Sequence, residues 1–277
     1  MTKKYNGDMY GLYIAIFTPR DSRILAGIFG GLIGTGGCSV MLPILSFVVY
    51  GGDPNILPIA IGTTLAAVIF TTISGAIGHL KIKNLDIEAT KYLTLGGIPG
   101  VILGSYLFSY LVETGRFGTL SFILGMIFIW PSIRMVREGI FRSQQTPTQI
   151  AYIPGNPAYK AIFGFLIGIT TGVAGLGGGY ALVPGMIYLF DAPVHLAMGP
   201  SLAAMIALAG IGGVIKILNG VVDIYAAVSL GLGTTLGAQI GARLIKRFKP
   251  ATLKLIFGLY FLYVSLKYIF LFFGIRI

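Results

Sequence analysis

Apolar residues fall into eight long runs separated by short polar stretches: Ile24–Tyr50, Leu57–Ile77, Tyr92–Val112, Phe117–Val136, Ala161–Phe190, Ala192–Ile215, Tyr225–Ile245 and Leu253–Phe273. A helix crossing the bilayer's hydrocarbon core needs about 20 mostly apolar residues. The pattern therefore predicts an all-α polytopic membrane protein, multi-pass in the cell membrane, with no soluble segment large enough to be a domain. Residues 1–23 form a short interfacial lead-in, since "MYGLYIAIF" lacks the small-residue cleavage site of a signal peptide after it. Composition agrees: 55% of residues are hydrophobic and 10% charged, against about 25% charged in an ordinary soluble domain. Mean hydropathy is +0.87.

The chain repeats itself. "GTGGCSVMLP" (34–43) aligns with "GLGGGYALVP" (175–184), and "AIGTTLAA" (60–67) with "AMGPSLAA" (197–204). Asp86 meets Asp223. "PGVILG" (99–104) meets "LGAQIG" (236–241), and "TLSFILG" (119–125) meets "TLKLIFG" (252–258). The offset moves only from 141 to 137 to 133. Four blocks in one order predict two related halves of four segments each, residues 24–136 and 161–277. The polar, proline-bearing stretch 137–160 links them.

Repeats in secondary transporters are parallel or inverted. The first segment of each half bears on which. Ile24–Tyr50 as one helix would be ~40 Å long, more than the core requires. Broken at Gly34–Gly37, it gives two arms of ~15–20 Å, which suits a re-entrant hairpin as well as a kinked crossing. Loop charge leans toward inversion. Lys81, Lys83 and Lys91 follow the second segment of the first half, whereas in the second half Arg243, Lys246, Arg247, Lys249 and Lys254 crowd the next connection. Lys3, Lys4, Arg20 and Arg23 pull the N-terminus toward the cytoplasm, so the form stays open.

Non-helical backbone survives inside a bilayer only where protein encloses it or a water-filled cavity receives it. Two matching breaks therefore predict a shared internal cavity near the midplane. A half-helix starting at such a break presents unpaired N–H groups and a partial positive charge, which favours an anion. The candidate substrate-binding residues are Gly34, Thr35, Gly36, Gly37, Cys38 and Ser39 in the first motif. In the second they are Gly175, Gly177, Gly178, Gly179 and Tyr180. Thr63, Thr64 and Ser201 add hydroxyls able to donate to an oxyanion; the bland alternative is back-bonding to a helix carbonyl. Cys38 reads more simply as a small packing residue. Gly100, Gly104, Gly237 and Gly241 have the small-xxx-small spacing of close helix packing. A soluble phosphate loop is excluded, because "GLGGGYAL" is followed by no Lys-Ser or Lys-Thr and by no acid at the dinucleotide spacing.

Net charge is +11. In this setting it reads as basic loops and helix ends, not as a nucleic-acid surface. The single cysteine makes no internal disulfide and no cysteine-based zinc site, and nothing calls for a cofactor or metal. All nine acids fall at segment ends or in connections, so a mid-span acidic proton relay is not expected. His79 and Lys216 each stand seven residues before Asp86 or Asp223. Those pairs would hold the second helix of each half to the third, unless they are solvated interface charges.

With "GGLIGTGGCSVMLPIL" and "GVAGLGGGYALVPGMIYL" in view, the chain from Ile24 to Phe273 resembles the sulfite exporter TauE/SafE family of membrane transporters. The resemblance implies movement of small sulfur-containing anions, such as sulfite or organosulfonates, outward. The chain departs from its own repeat at Cys38 and at Pro200, so the two half-sites are unequal. With no nucleotide-binding motif, energy must come from a gradient or the membrane potential. An anion channel with the same lining is the alternative. A membrane-embedded enzyme lacks the residues. Expected partners are the anion and the bilayer; a homo-oligomer stays open.

Overall fold

A computed structural model of the chain describes residues 27–28, 36–51, 53–141, 152–244 and 250–275. Those residues are helical with short connections. The helices are α1 (Cys38–Pro43), α2 (Leu57–Lys81), α3 (Ile87–Glu113), α4 (Phe117–Phe141), α5 (Pro157–Ala174), α6 (Gly179–Leu189), α7 (Val194–Leu218), α8 (Ile224–Leu244) and α9 (Pro250–Phe272). A π-helical turn, Ile44–Val49, continues α1 beyond Pro43. Among the described residues, four helices are long and apolar enough to cross a membrane: α2, α3, α5 and, from His195, α7.

Local chemistry sets the helix ends. The Asp86 side chain accepts from Ala89 N–H at 2.9 Å and caps α3. Asn156 accepts from Ala158 N–H at 2.8 Å and caps α5, whose first residue is Pro157. Such caps satisfy amides that have no partner within the helix. A proline at the first position gives up an N–H that would be unpaired anyway. Both glycine motifs interrupt their segments. α5 ends on Gly175, α6 starts from Gly178, and α1 starts from Gly37, all three with left-handed backbone.

Close contacts fix the helix directions. Gly96, Gly100 and Gly104 of α3 face the carbonyl oxygens of Ala161, Phe165 and Ile169 on α5. The two helices therefore run parallel, so close that a methyl group at any of these glycines would meet backbone. This is the packing role expected for Gly100 and Gly104; Gly237 and Gly241 are buried in α8. α2 and α8 are parallel: Thr71 bonds Thr234, and Gln239 Nε2 donates to Ser74 O at 2.6 Å. α3 and α7 are parallel, with Gly97 on Leu208 and Asn219 Nδ2 donating to Ser109 Oγ at 2.8 Å. α2 and α7 are antiparallel, because Gly75 meets Leu202 while Gly212 meets Leu65. α4 and α9 are antiparallel as well, with Gly125 on Ile269 and Gly139 on Leu255.

These directions sort the connections onto two ends of the bundle. At one end, Asn84 Nδ2 donates to His195 O at 2.7 Å, and Ile153 N–H donates to Asp86 Oδ2 at 2.6 Å. At the other, Asp223 N–H donates to Thr63 Oγ1 at 2.9 Å. They are called the Asp86 end and the Asp223 end below.

α6 does not carry α5 onward. Gly178 sits against Ile167 and Thr171 of α5, Gly185 sits against Phe163, and Phe190 reaches Gly155. The Phe163 and Phe190 rings are 5.9 Å apart, edge to face. The segment thus folds back on itself and returns to the Asp86 end. Its outward arm, at 18 residues, is ~27 Å long.

Candidate functional site

The two glycine breaks meet at the centre of the antiparallel α2–α7 pair. A Cβ added at Gly36 would lie 2.9 Å from Met205 Cε and 3.2 Å from Val68 Cγ1. One added at Gly177 would lie 2.5 and 3.0 Å from the same two atoms. Val68 and Met205 are fully buried. Cys38, at the start of α1, donates its thiol hydrogen to the carbonyl of Leu176 in the other break. The tips are therefore in contact, with a valine and a methionine filling the space beneath them. Only glycine brings backbone this close to both side chains.

Gly36, Gly37, Gly175, Gly177, Gly178 and Gly179 are all buried, and Tyr180 is 1% exposed. Gly34 and Thr35 lie outside the described residues, as does the side chain of Ser39. The first amides to bond within α6 are those of Ala181 and Leu182, both to Gly178 O. The Gly179 and Tyr180 N–H groups that precede them have no acceptor in their own helix, as at any helix start. α1 repeats the arrangement, with Val40 and Met41 bonding Gly37 O.

The hydroxyl candidates divide. Thr64 Oγ1 is buried without a hydrogen-bond partner, and its helix passes the second break one turn earlier, where Ile61 covers Gly175. Thr63 Oγ1 is held by Asp223 N–H, at the joint between α2 and the α7–α8 connection. Ser201 Oγ points to Met205 Sδ at 4.0 Å. Thr171, which the repeat did not single out, has a buried, unpartnered hydroxyl beside Gly178. The pairing expected of His79 with Asp86 and of Lys216 with Asp223 takes another form. His79 Nδ1 lies 2.8 Å from Asn84 Nδ2, while Asp86 spends its oxygens on Ala89 and Ile153 N–H. Lys216 is fully buried; it donates to Gly172 O at 2.8 Å, with Nζ 3.1 Å from the Phe108 ring centroid. Its amine thereby satisfies a carbonyl in the last turn of α5 that has no partner within the helix.

Beside the second tip is a cavity of about 230 Å³, walled among others by Trp130, Thr170, Tyr180, Ala181 and Gly185. Nearer the Asp86 end a larger one of about 760 Å³ is lined by Trp130, Arg134, Arg137, Glu138 and Phe141.

The family model described as sulfite exporter TauE/SafE matches residues 23–268. The chain belongs to the TauE/SafE family. Its relatives include the probable membrane transporter protein YunE of Bacillus subtilis, 29% identical over 263 residues, which are 89% of this chain and 94% of that one. YjnA of the same organism is 29% identical over 258 residues, 90% and 99% of the two chains. MJ0441 of Methanocaldococcus jannaschii, also named a probable membrane transporter protein, is 27% identical over 243 residues, 83% and 86% of the two chains. No solved structure matches the chain. This TauE/SafE protein is accordingly a multi-pass membrane transporter. The breaks, α2 and α7 all lie within the matched residues.

Proposed function

We propose that the protein is a secondary carrier that exports small sulfur-containing oxyanions, sulfite or an organosulfonate, across the cell membrane by alternating access. The two halves are read as inverted repeats, each a re-entrant hairpin followed by three crossings. The observation that carries this is the meeting of both glycine breaks on Val68 and Met205 between antiparallel α2 and α7. Val68 and Met205 occupy equivalent places in the repeat.

Other contacts recur at the repeat offsets and support inversion. Gly168 packs on Gly97 as Gly27 does on Thr234, and Gly199 packs on Asn84 as Gly62 does on Val221. Asp86 caps Ala89 N–H as Asp223 caps Ala226 N–H. Lys83 and Gly220 share positive φ at the same place in their loops. Equivalent helices α2 and α7, or α4 and α9, run in opposite directions, as a two-fold axis across the bundle requires.

The Asp86 end is read as cytoplasmic. Lys81, Lys83, Lys91, Arg137 and Arg243 lie toward it, whereas Arg116, Lys216 and Lys267 lie toward the Asp223 end. The packed centre, fully buried at Val68 and Met205, suits a carrier that closes over its cargo better than a standing pore. An inside-negative potential favours anion exit by about 2.3 kcal/mol per charge per 100 mV, so export needs no coupling ion.

The test is flux of labelled sulfite, sulfate and a small sulfonate in liposomes holding the purified protein, with and without an imposed potential. Saturable movement of a sulfur oxyanion, lost in Gly37→Leu and Gly178→Leu, is expected. No flux of any of the three overturns the substrate reading. Unitary currents far above ~10³ ions per second, the rough ceiling for a step gated by μs–ms motion, overturn the carrier.

A further inference from the structure

Two cations stand between aromatic rings near opposite ends of the bundle. Arg134 of α4 lies 3.4 Å from the Tyr188 ring centroid and 5.5 Å from that of Trp130. The two rings meet edge to face at 6.5 Å. Lys267 of α9 lies 4.6 Å from the Phe47 centroid and 5.5 Å from that of Tyr263.

The correspondence is complete at the offsets found in the sequence. Arg134 and Trp130 fall on Lys267 and Tyr263 at 133, and Tyr188 falls on Phe47 at 141. Each cluster joins the fourth helix of one half to the returning arm of the other half's hairpin. Arg134 sits near the Asp86 end of α4, Lys267 near the Asp223 end of α9, and both are half-buried. A helix end carrying a snorkelling cation is ordinary. A cation held between two rings at equivalent places in both halves is not accounted for by snorkelling.

We propose that Arg134 and Lys267 are the anion-capture residues at the two mouths of the transport path, with Trp130–Tyr188 and Tyr263–Phe47 as the aromatic doors. The inference rests on the carrier reading above and takes the same ligand class, a small oxyanion. On the Asp86 side two cavities lie along the path this assigns. The 760 Å³ cavity at Arg134 and Arg137 shares the Trp130 wall with the 230 Å³ cavity, which reaches Tyr180 two residues beyond Gly178.

Arg134 engages Glu138 Oε1 through Nε at 3.3 Å. A guanidinium has five donors, so others remain for an oxyanion. The ring faces attract the cation more strongly when no anion is present. An arriving oxyanion competes with the rings for the cation and loosens the door it enters by. Ionisable residues inside a span commonly mark such a path.

The experiment measures the sulfite KM from each face separately, in right-side-out and inside-out vesicles. Losing a charge-assisted hydrogen bond is worth about tenfold or more in affinity. Arg134→Gln is expected to raise KM about tenfold at the cytoplasmic face while leaving the opposite face within about twofold. Lys267→Gln is expected to do the reverse, and Arg134→Lys and Lys267→Arg to restore most of each loss. A change equal on both faces, or a fall in maximal rate with KM unmoved, overturns the inference. So does a KM shift that disappears when purified protein sits in phosphatidylcholine alone, because the cations then serve anionic lipid headgroups. If one variant fails to fold, the other carries the test. If the wild-type protein moves no sulfur oxyanion at all, the carrier reading has failed first.

Discussion

Gly175→Ala separates backbone strain from packing at the second break. Gly175 closes α5 with φ 66° and donates its N–H to Thr171 O at 2.8 Å. An alanine held in left-handed backbone costs roughly 1–2 kcal/mol. Its Cβ would also stand 2.5 Å from the carbonyl oxygen of Ile61, which belongs to the backbone of α2 and cannot swing aside. Relief means moving α2 away from the tip, at the ~1–3 kcal/mol typical of overpacking. The total is about 2–5 kcal/mol. Gly220 supplies the control inside the same molecule: φ is +68°, yet a Cβ there meets nothing within 4 Å. Gly220→Ala should therefore cost the strain alone, about 1–2 kcal/mol. Unfolding titrations of both variants with a denaturing detergent added to micelles measure the two losses. Gly175→Ala should be the less stable by ~1–3 kcal/mol. Equal losses, or a larger loss at Gly220, would refute the claim that the tip is in tight contact with α2.

Gly168→Ala should cost about 1–3 kcal/mol, since its Cβ would press into the Gly97 carbonyl; Gly118→Ala, whose Cβ would meet Phe272 at an ordinary 3.5 Å, should be neutral in the same titration. Asp86→Ala removes the α3 cap and strands the buried Ile153 N–H, so a loss of about 2–4 kcal/mol is expected. Lys216→Met should stay within about 1 kcal/mol of wild type or rise above it, because methionine keeps the volume beside Phe108 and no longer requires a polar group to leave water. Lys216→Ala, which leaves a void beside Phe108, should lose about 2–4 kcal/mol by thermal unfolding.

Much of this arrangement was legible in the residues. Consecutive glycines followed by proline marked both breaks, because few other sequences make a helix start inside a greasy segment. Small-xxx-small spacing located the α3 face on which α5 packs. The choice between a hairpin return and a kinked crossing at α6 was not legible, because a hydropathy run of that length reads the same whether the chain continues or doubles back. The roles of Thr63 and Lys216 were hidden for a different reason. Their partners, Asp223 N–H and Gly172 O, are backbone groups brought near only by tertiary packing. Arg134 and Lys267 could have been found by extending the 133 offset to the end of the fourth segments, where cation and aromatic recur four residues apart.

In the proposed inverted repeat, the differences between the halves carry their own consequence. An inverted repeat with two identical halves would have inward-facing and outward-facing states of equal energy, since the symmetry exchanges them. Every unequal pair lifts that degeneracy. At the centre, Met205 stands opposite Val68, and Cys38 ties the two tips through Leu176 O while its counterpart Gly179 has no side chain to return the bond. At the mouths, Glu138 accepts from Arg134 Nε at 3.3 Å and from Tyr188 OH at 2.9 Å, whereas its counterpart on α9 is Leu271. The door at the Asp86 end is thus held by two hydrogen bonds to a carboxylate in addition to ring contacts, whereas the opposite door has ring contacts and, beside them, one neutral hydrogen bond between Ser46 Oγ and Tyr268 OH at 3.3 Å. Hydrogen bonds to charged groups contribute about 1.5–3 kcal/mol each when buried, and less where one partner is as exposed as Arg134. A gap of even 1.4 kcal/mol shifts a two-state population tenfold. In the proposed cycle this places the resting carrier with its cytoplasmic door shut, and makes capture of an anion by Arg134 the event that competes directly with the Glu138 tie.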